Sequence, residues 1–157
     1  MAVELRGLTD NARKTSISEL NGRLADSIAL ALAVKQAHWN VKGRNFIAIH
    51  ELFDSLHNNL REHVDTMAER VQQLDGVAVG TVQKVSASSG LQEYPTDLTG
   101  AEDHVRALCN RYRDHGEKLR AAIDATDEAG DADTADIFTA ASRSLDKDLW
   151  FLESHLE

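Results

Sequence analysis

A single proline is the feature that most limits what this chain can fold into. Proline interrupts helix interiors, and here Pro95 sits within the 75–97 connection. The segments on either side carry apolar residues at i, i+3/i+4 spacing. A first helix is expected from about Asp10 to about Trp39, with Ile17, Leu20, Leu24, Ile28 and Leu32 as its stripe. Asn40 to Asn45 forms a break, where Gly43 can take the positive φ of a tight reversal. A second helix is expected over about Phe46–Leu74, buried through Ile49, Leu52, Phe53, Leu56, Leu60, Val64, Met67 and Val71 and stopped by Asp75-Gly76. Residues 75–97 are too long for an ordinary turn and suit a crossover that contains a short helix. Thr99-Gly100-Ala101-Glu102 has the form of a capping box. It would open a third helix to about Ala125, with Val105, Leu108, Cys109, Tyr112, Leu119 and Ile123 inward. An acidic turn follows, and Asp133 is the expected N-cap of a last helix running through Leu156.

The fold class read from this pattern is all-α: a four-helix bundle with a long crossover between helices 2 and 3, the ferritin-like connectivity. Residues 1–9 are expected to form a short N-terminal arm, and 10–157 a single domain.

The chemistry concentrates between His38 and Glu69. His50 and Asp54 are i,i+4 neighbours on a helix, and so are Asp65 and Glu69. The antiparallel hairpin brings His38, at the end of the first helix, level with His50. Asp54 and Asp65 share a stripe, yet a helix separates them by roughly 16 Å. Metal–ligand bonds are about 2.0–2.2 Å long, so one ion cannot reach both pairs in one chain. A two-fold axis crossing the helix near Asn59 and Leu60 would lay the acidic pair of one subunit over the His50/Asp54 pair of another. Mixed imidazole and carboxylate ligands suit Fe(II), Mn(II) or Zn(II). The chain has no Glu-x-x-His, the signature of a metal site in the middle of a single bundle. Trp39 adjoins a ligand candidate and reads as an interface aromatic or a redox partner. His57 and His63 are expected to be exposed rather than ligating, and Cys109 to be a core residue.

The formal net charge is −9, which disfavours phosphate and suits cations. Asp131, Asp133 and Asp136 could line a pore that focuses Fe(II) if copies meet about a symmetry axis; alone they read as a solvated helix entrance. One cysteine excludes a disulfide framework. The N-terminus lacks an apolar leader and no apolar run is long enough to span a bilayer, so a cytoplasmic location without membrane attachment is expected.

His38-Trp39-Asn40, the His50/Asp54 pair and Asp65-Thr66-Met67-Ala68-Glu69-Arg70 resemble the Dps family of mini-ferritins, as does the final 133–153 segment. The resemblance implies a hollow homo-dodecamer built from two-fold dimers. In it, His38, His50 and Asp54 of one subunit bind iron with Asp65 and Glu69 of the neighbour, at up to two iron positions per site. It further implies oxidation of Fe(II), preferentially by hydrogen peroxide, storage of ferric mineral and protection of DNA. Trp39 would supply a route for a second electron, and Asp136, with Asp131 and Asp133, an acidic pore. The lysine-rich tail through which family members often bind DNA has no counterpart here: the arm offers Arg6, with Arg13 and Lys14 beyond it. Twelve copies together would carry about −108. Direct DNA binding is therefore not expected, and a non-enzymatic, nucleoid-compacting protein is the alternative reading, with a plain helical interaction module third.

Overall fold

In the computed structural model, which describes residues 5–156, five helices form the chain: α1 (Asp10–Asn40), α2 (Phe46–Gln73), α3 (Val82–Ser88), α4 (Ala101–Ala129) and α5 (Ala132–Glu153). No strand occurs among the described residues. The bundle consists of two antiparallel hairpins, α1–α2 and α4–α5, joined by the α3 crossover; α1 packs on α4 and α2 on α5. Of the arm expected over 1–9, residues 1–4 lie outside the described residues, and Thr9 serves as N-cap of α1, its Oγ1 accepting from the Ala12 N–H.

α1 is the axle. It touches α2, α3 and α4, and it buries small residues (Ala25, Ala31, Ala33, Ala37) beside Leu20, Leu24, Leu30 and Val34. The expected stripe is therefore only partly the core: Leu20 and Leu24 are buried, Ile17 and Ile28 half-buried, and Leu32 is exposed. A series with that spacing advances faster than 3.6 residues per turn and drifts about 60° around the helix by its last member.

The turns differ from expectation in informative ways. Gly43 does take a positive φ, 117°, in the α1–α2 reversal, and Asn45 follows at 61°. At the end of α2 it is Asp75, not Gly76, that is left-handed (φ 61°). The capping box does not form: Gly100 is the N-cap of α4, without a side-chain bond, and the Thr99 carbonyl accepts the Lys42 N–H instead. α4 continues to Ala129, so Asp124, Asp127 and Glu128 lie within it, and Gly130 (φ 93°) makes the reversal.

The N-cap of α5 is Asp131, not Asp133. Its carboxylate accepts from the Thr134 N–H and hydroxyl, from Ser16 Oγ at 2.7 Å and from Arg70 Nη2 at 3.0 Å. One buried side chain thus ties α1, α2 and α5 together. Burial pushes this carboxyl up, but the bonds from Thr134 and Ser16 and the Arg70 guanidinium outweigh it and hold it below its ordinary value. Two more buried acids work across the bundle. Asp26 Oδ1 accepts from Ser89 Oγ and the Gly90 N–H, pinning the crossover to α1. Asp148 Oδ1 accepts from Asn59 Nδ2, joining α5 to α2.

Asp131→Ala leaves Arg70 without its carboxylate and α5 without its cap, so denaturation should show a loss of about 3 kcal/mol. Asp133→Ala, in the exposed first turn, should lose less than about 1 kcal/mol. Burial raises the Asp148 carboxyl from 3.8 to about 6, against Asn59 and Lys147, which lower it. The fold therefore favours its protonated form, and this site costs stability as pH rises from 3.8 through about 6. Asp148→Asn should raise stability by roughly 1–2 kcal/mol at pH 7.5, and melting curves should show the gain vanish below pH 4.

Candidate metal centre at a helix-pair mouth

The α1–α2 reversal sets two imidazoles face to face. His38 and His50 stack with ring centroids 3.7 Å apart and planes inclined by 19°. Their bonds are reciprocal: His38 Nδ1 lies 2.8 Å from the His50 carbonyl, and His50 Nδ1 lies 2.8 Å from the His38 carbonyl. A carbonyl oxygen only accepts, so each Nδ1 carries a proton and donates it. In the neutral ring the lone pair is then left on Nε2, the arrangement in which a histidine can ligate a metal with its other nitrogen fixed by the backbone.

One turn further along each helix stands a charged pair. Lys35 of α1 donates to Asp54 of α2, Nζ to Oδ1, at 2.5 Å. This bond, chiefly, holds the Asp54 carboxyl below its ordinary value. His38, His50 and Asp54 line one open cleft with Ile47, Glu51, Ser55 and Asn58. Ile47, 60% exposed, lines this cleft; Phe46, 42% exposed, sets its ring 5.0 Å from that of His50, and Trp39, next to His38 in the chain, is 67% exposed. So large an apolar exposure around a polar cleft marks an interaction surface.

Asp65 and Glu69 lie on the same uninterrupted helix and both are exposed. The structure does not bring them to the histidines. Asp65 instead lines a second open cleft with Asn58, Arg61, Glu62 and Val64. Asn58 lines both clefts, so they adjoin along the outer face of α2. Asn59 is turned inward to Asp148 and Leu60 is buried, while Asn58, Arg61 and Glu62 occupy the outer face at that height. Within one chain, no three His, Cys, Asp or Glu side chains among the described residues converge as a metal cluster.

The three acidic residues of the α4–α5 turn separate. Asp133 and Asp136 are exposed on the first turns of α5, whereas Asp131 is 2% exposed and engaged as described above, so it cannot join them on the surface. His57 and His63 are half-buried rather than exposed. His63 borders a small internal cavity with Ser27, His115 and Asp148. His115, which carried no signal in the sequence, is buried with Nε2 2.9 Å from Ser27 Oγ. Burial pushes its imidazole down to about 4. Lys35, Asn58 and Arg61 were also missed; only the i,i+3 spacing of Lys35 to His38 could have flagged the first. Cys109 is buried in the core as expected. No helix among the described residues is long and apolar enough to cross a membrane.

Comparison with known proteins gives a consistent result. Residues 17–157 match the family model of the ferritin-like domain. A protein of Agrobacterium fabrum named DNA protection during starvation protein is 55% identical over 150 residues, covering 96% of this chain and 93% of its own. The structure of a Dps protein from Bacillus brevis superimposes with a TM-score of 0.88 at 32% identity, covering 96% of this chain and 100% of that one. Mycobacterium smegmatis Dps gives a TM-score of 0.94 at 29% identity, covering 100% of this chain and 94% of that one.

Proposed function

This chain belongs to the Dps family of ferritin-like proteins, and from that premise we propose that it oxidises Fe(II) at sites shared between two subunits and stores the ferric product. The observation that carries the reading is the pair of His38 and His50 rings, both held by backbone carbonyls with Nε2 left to ligate. Asp54 adds an anionic donor from the same cleft. A neighbouring subunit's Asp65 and Glu69 would complete the set. That these two carboxylates are exposed on the same outer face of α2, with an apolar collar around the histidine cleft, supports a two-fold pairing. Arg61 and Glu62 at mid-face are exposed and of opposite charge, so the face is self-complementary about such an axis. Twelve copies arranged as six such dimers would enclose the mineral.

Iron is the substrate, and the protein's part is to hold it with hard, anionic ligands that favour Fe(III) over Fe(II). Hydrogen peroxide is the proposed preferred oxidant. Two electrons and two protons convert it to two waters; one Fe(II) supplies one electron, and a second Fe(II) or the Trp39 indole supplies the other. Removing Fe(II) and peroxide together suppresses hydroxyl radicals and would protect DNA without contact. A DNA-coating role is less well supported, since the chain carries −9. Asp133 and Asp136, without Asp131, would form the acidic entrance for Fe(II), and the protein would work in the cytoplasm.

Stopped-flow oxidation of Fe(II) tests the reading. Fast oxidation with peroxide, slower with oxygen, should fall at least about a hundredfold in His38→Ala/His50→Ala. Equal, slow rates in both proteins would instead favour the DNA-coating alternative. Asp133→Asn/Asp136→Asn should slow iron uptake several-fold at low salt, less at high salt. Unchanged uptake would return these residues to an ordinary surface role.

A further inference from the structure

We infer that the segment from Gly90 to Thr99, which leads from α3 into α4, is a strap latched to α4 by His104 and released in acid. Its two ends are tied elsewhere. Asp26 Oδ1, on α1, accepts from Ser89 Oγ at 3.0 Å and from the Gly90 N–H at 2.8 Å. The Thr99 carbonyl accepts the Lys42 N–H of the α1–α2 reversal at 2.9 Å. Between these ties the strap is held by α4. Arg111 donates through Nε to the Gln92 carbonyl at 3.1 Å and through Nη2 to the Glu93 carbonyl. Its guanidinium carbon lies 5.0 Å from the centre of the Tyr94 ring, within cation–π range. The Tyr94 hydroxyl in turn lies 2.6 Å from His104 Nδ1.

The latch depends on where one proton sits. Tyr94 and His104 are both buried, and the bond to His104 is the one that the Tyr94 hydroxyl makes among the described residues. A buried phenol proton needs an acceptor, and Nδ1 supplies one only while it carries no proton of its own. The neutral ring then holds its proton on Nε2, which has no partner within bonding distance. A second proton on the ring turns Nδ1 from acceptor into donor, and the phenol loses its donor bond. It also places a second cation against the tyrosine that Arg111 already faces. Burial pushes the His104 imidazole below its ordinary value, against the Leu98 carbonyl and the Asp103 carboxylate, which raise it. A ring that resists the proton when covered takes it up when the strap opens to water. Closure is therefore fully favoured above the ordinary value of 6.5 and weakens as pH falls below it. The other charged side chains here are Asp103 on α4, Asp114 acting on Arg111, Lys42 at the reversal, and Glu93 and Asp97 on the strap. Among these residue types and histidine, only histidine ordinarily changes charge between pH 5 and 8. Release would open a groove that the strap now walls, whose opposite side carries Leu32, Ala33, Val82 and Val85.

Hydrogen–deuterium exchange of the assembled protein between pH 7.5 and pH 5 tests the latch. Mass spectrometry would follow peptides covering 90–98, corrected for the intrinsic pH dependence of amide exchange. Protection of the strap should fall about tenfold or more over that range, as the loss of one buried hydrogen bond allows, while the middle of α1 keeps its protection. His104→Asn, whose amide oxygen can accept from Tyr94 and cannot take up a proton, should hold the strap at both pH values. Tyr94→Phe, with no hydroxyl to latch, should show low protection already at pH 7.5 and no further fall. If His104→Asn fails to fold by circular dichroism, Tyr94→Phe carries the test, since the parent's pH dependence must vanish in it. Strap protection that stays constant in the parent, or that falls equally in the parent and in either variant, would overturn the inference. So would an equal fall across α1, which would mean that the bundle opens as a whole.

Discussion

The pairing of α1 with α2 is the constraint on which the rest of the molecule depends. The short reversal at 41–45 holds the two helices antiparallel, and the reciprocal bonds between His38 and His50 close the mouth of the hairpin. Those bonds do two things at once. They satisfy the His38 carbonyl, in the last turn of α1 where carbonyls lack helical partners, and add a second bond to the His50 carbonyl inside α2. They also fix the proton on Nδ1 in both rings, so the backbone leaves Nε2 as the nitrogen open to a ligand in each. A site assembled in this way needs little reorganisation on binding, which is the usual basis of preorganised chemistry.

The bundle behind the hairpin is held by buried acids that each join separate elements. Asp131 links α1, α2 and α5; Asp26 holds the crossover against α1; Asp148 meets Asn59 on α2. Buried charges of this kind are costly unless paired, and their partners differ. Asp131 has a guanidinium and two hydroxyls, and its carboxyl lies below the ordinary value. Asp148 has a neutral amide, and its carboxyl lies well above it. Arg70, directly after Glu69 on α2, ties the helix that carries the exposed acidic pair to the α4–α5 turn. The outer face of α2 is thus backed by a rigid polar contact while its front remains open.

Much of this was legible in the sequence, because it depends on period and spacing. The lone proline, the helical periodicities and the length of the crossover define the all-α bundle. The roughly 16 Å between Asp54 and Asp65 along one helix already keeps a single ion from reaching both pairs of one chain. What was not legible depends on packing between elements far apart in sequence. Nothing local distinguishes Asp131 from Asp133 as the cap of α5; the choice is made by Arg70 and Ser16 across the bundle. The capping box at Thr99 does not form: Gly100 caps α4, and Lys42, far away in sequence, donates to the Thr99 carbonyl. Lys35 looked like any surface lysine until α2 placed Asp54 opposite it. His115 carries no periodic signal that separates it from a core position.

The central claim is that one site is built from two chains, and subunit mixing tests it most directly. His50→Ala and Asp65→Ala proteins, each expected to be inactive alone as an assembled oligomer, would be dissociated, mixed and reassembled. In a mixed dimer one of the two sites keeps both its histidines and its neighbour's acidic pair. Equal random mixing should therefore restore roughly a quarter of the parent's Fe(II) oxidation rate, by the two-fold symmetry of the pair. Recovery of no activity in reassembled mixed oligomers would contradict a shared site and place the ligands of each iron within a single chain.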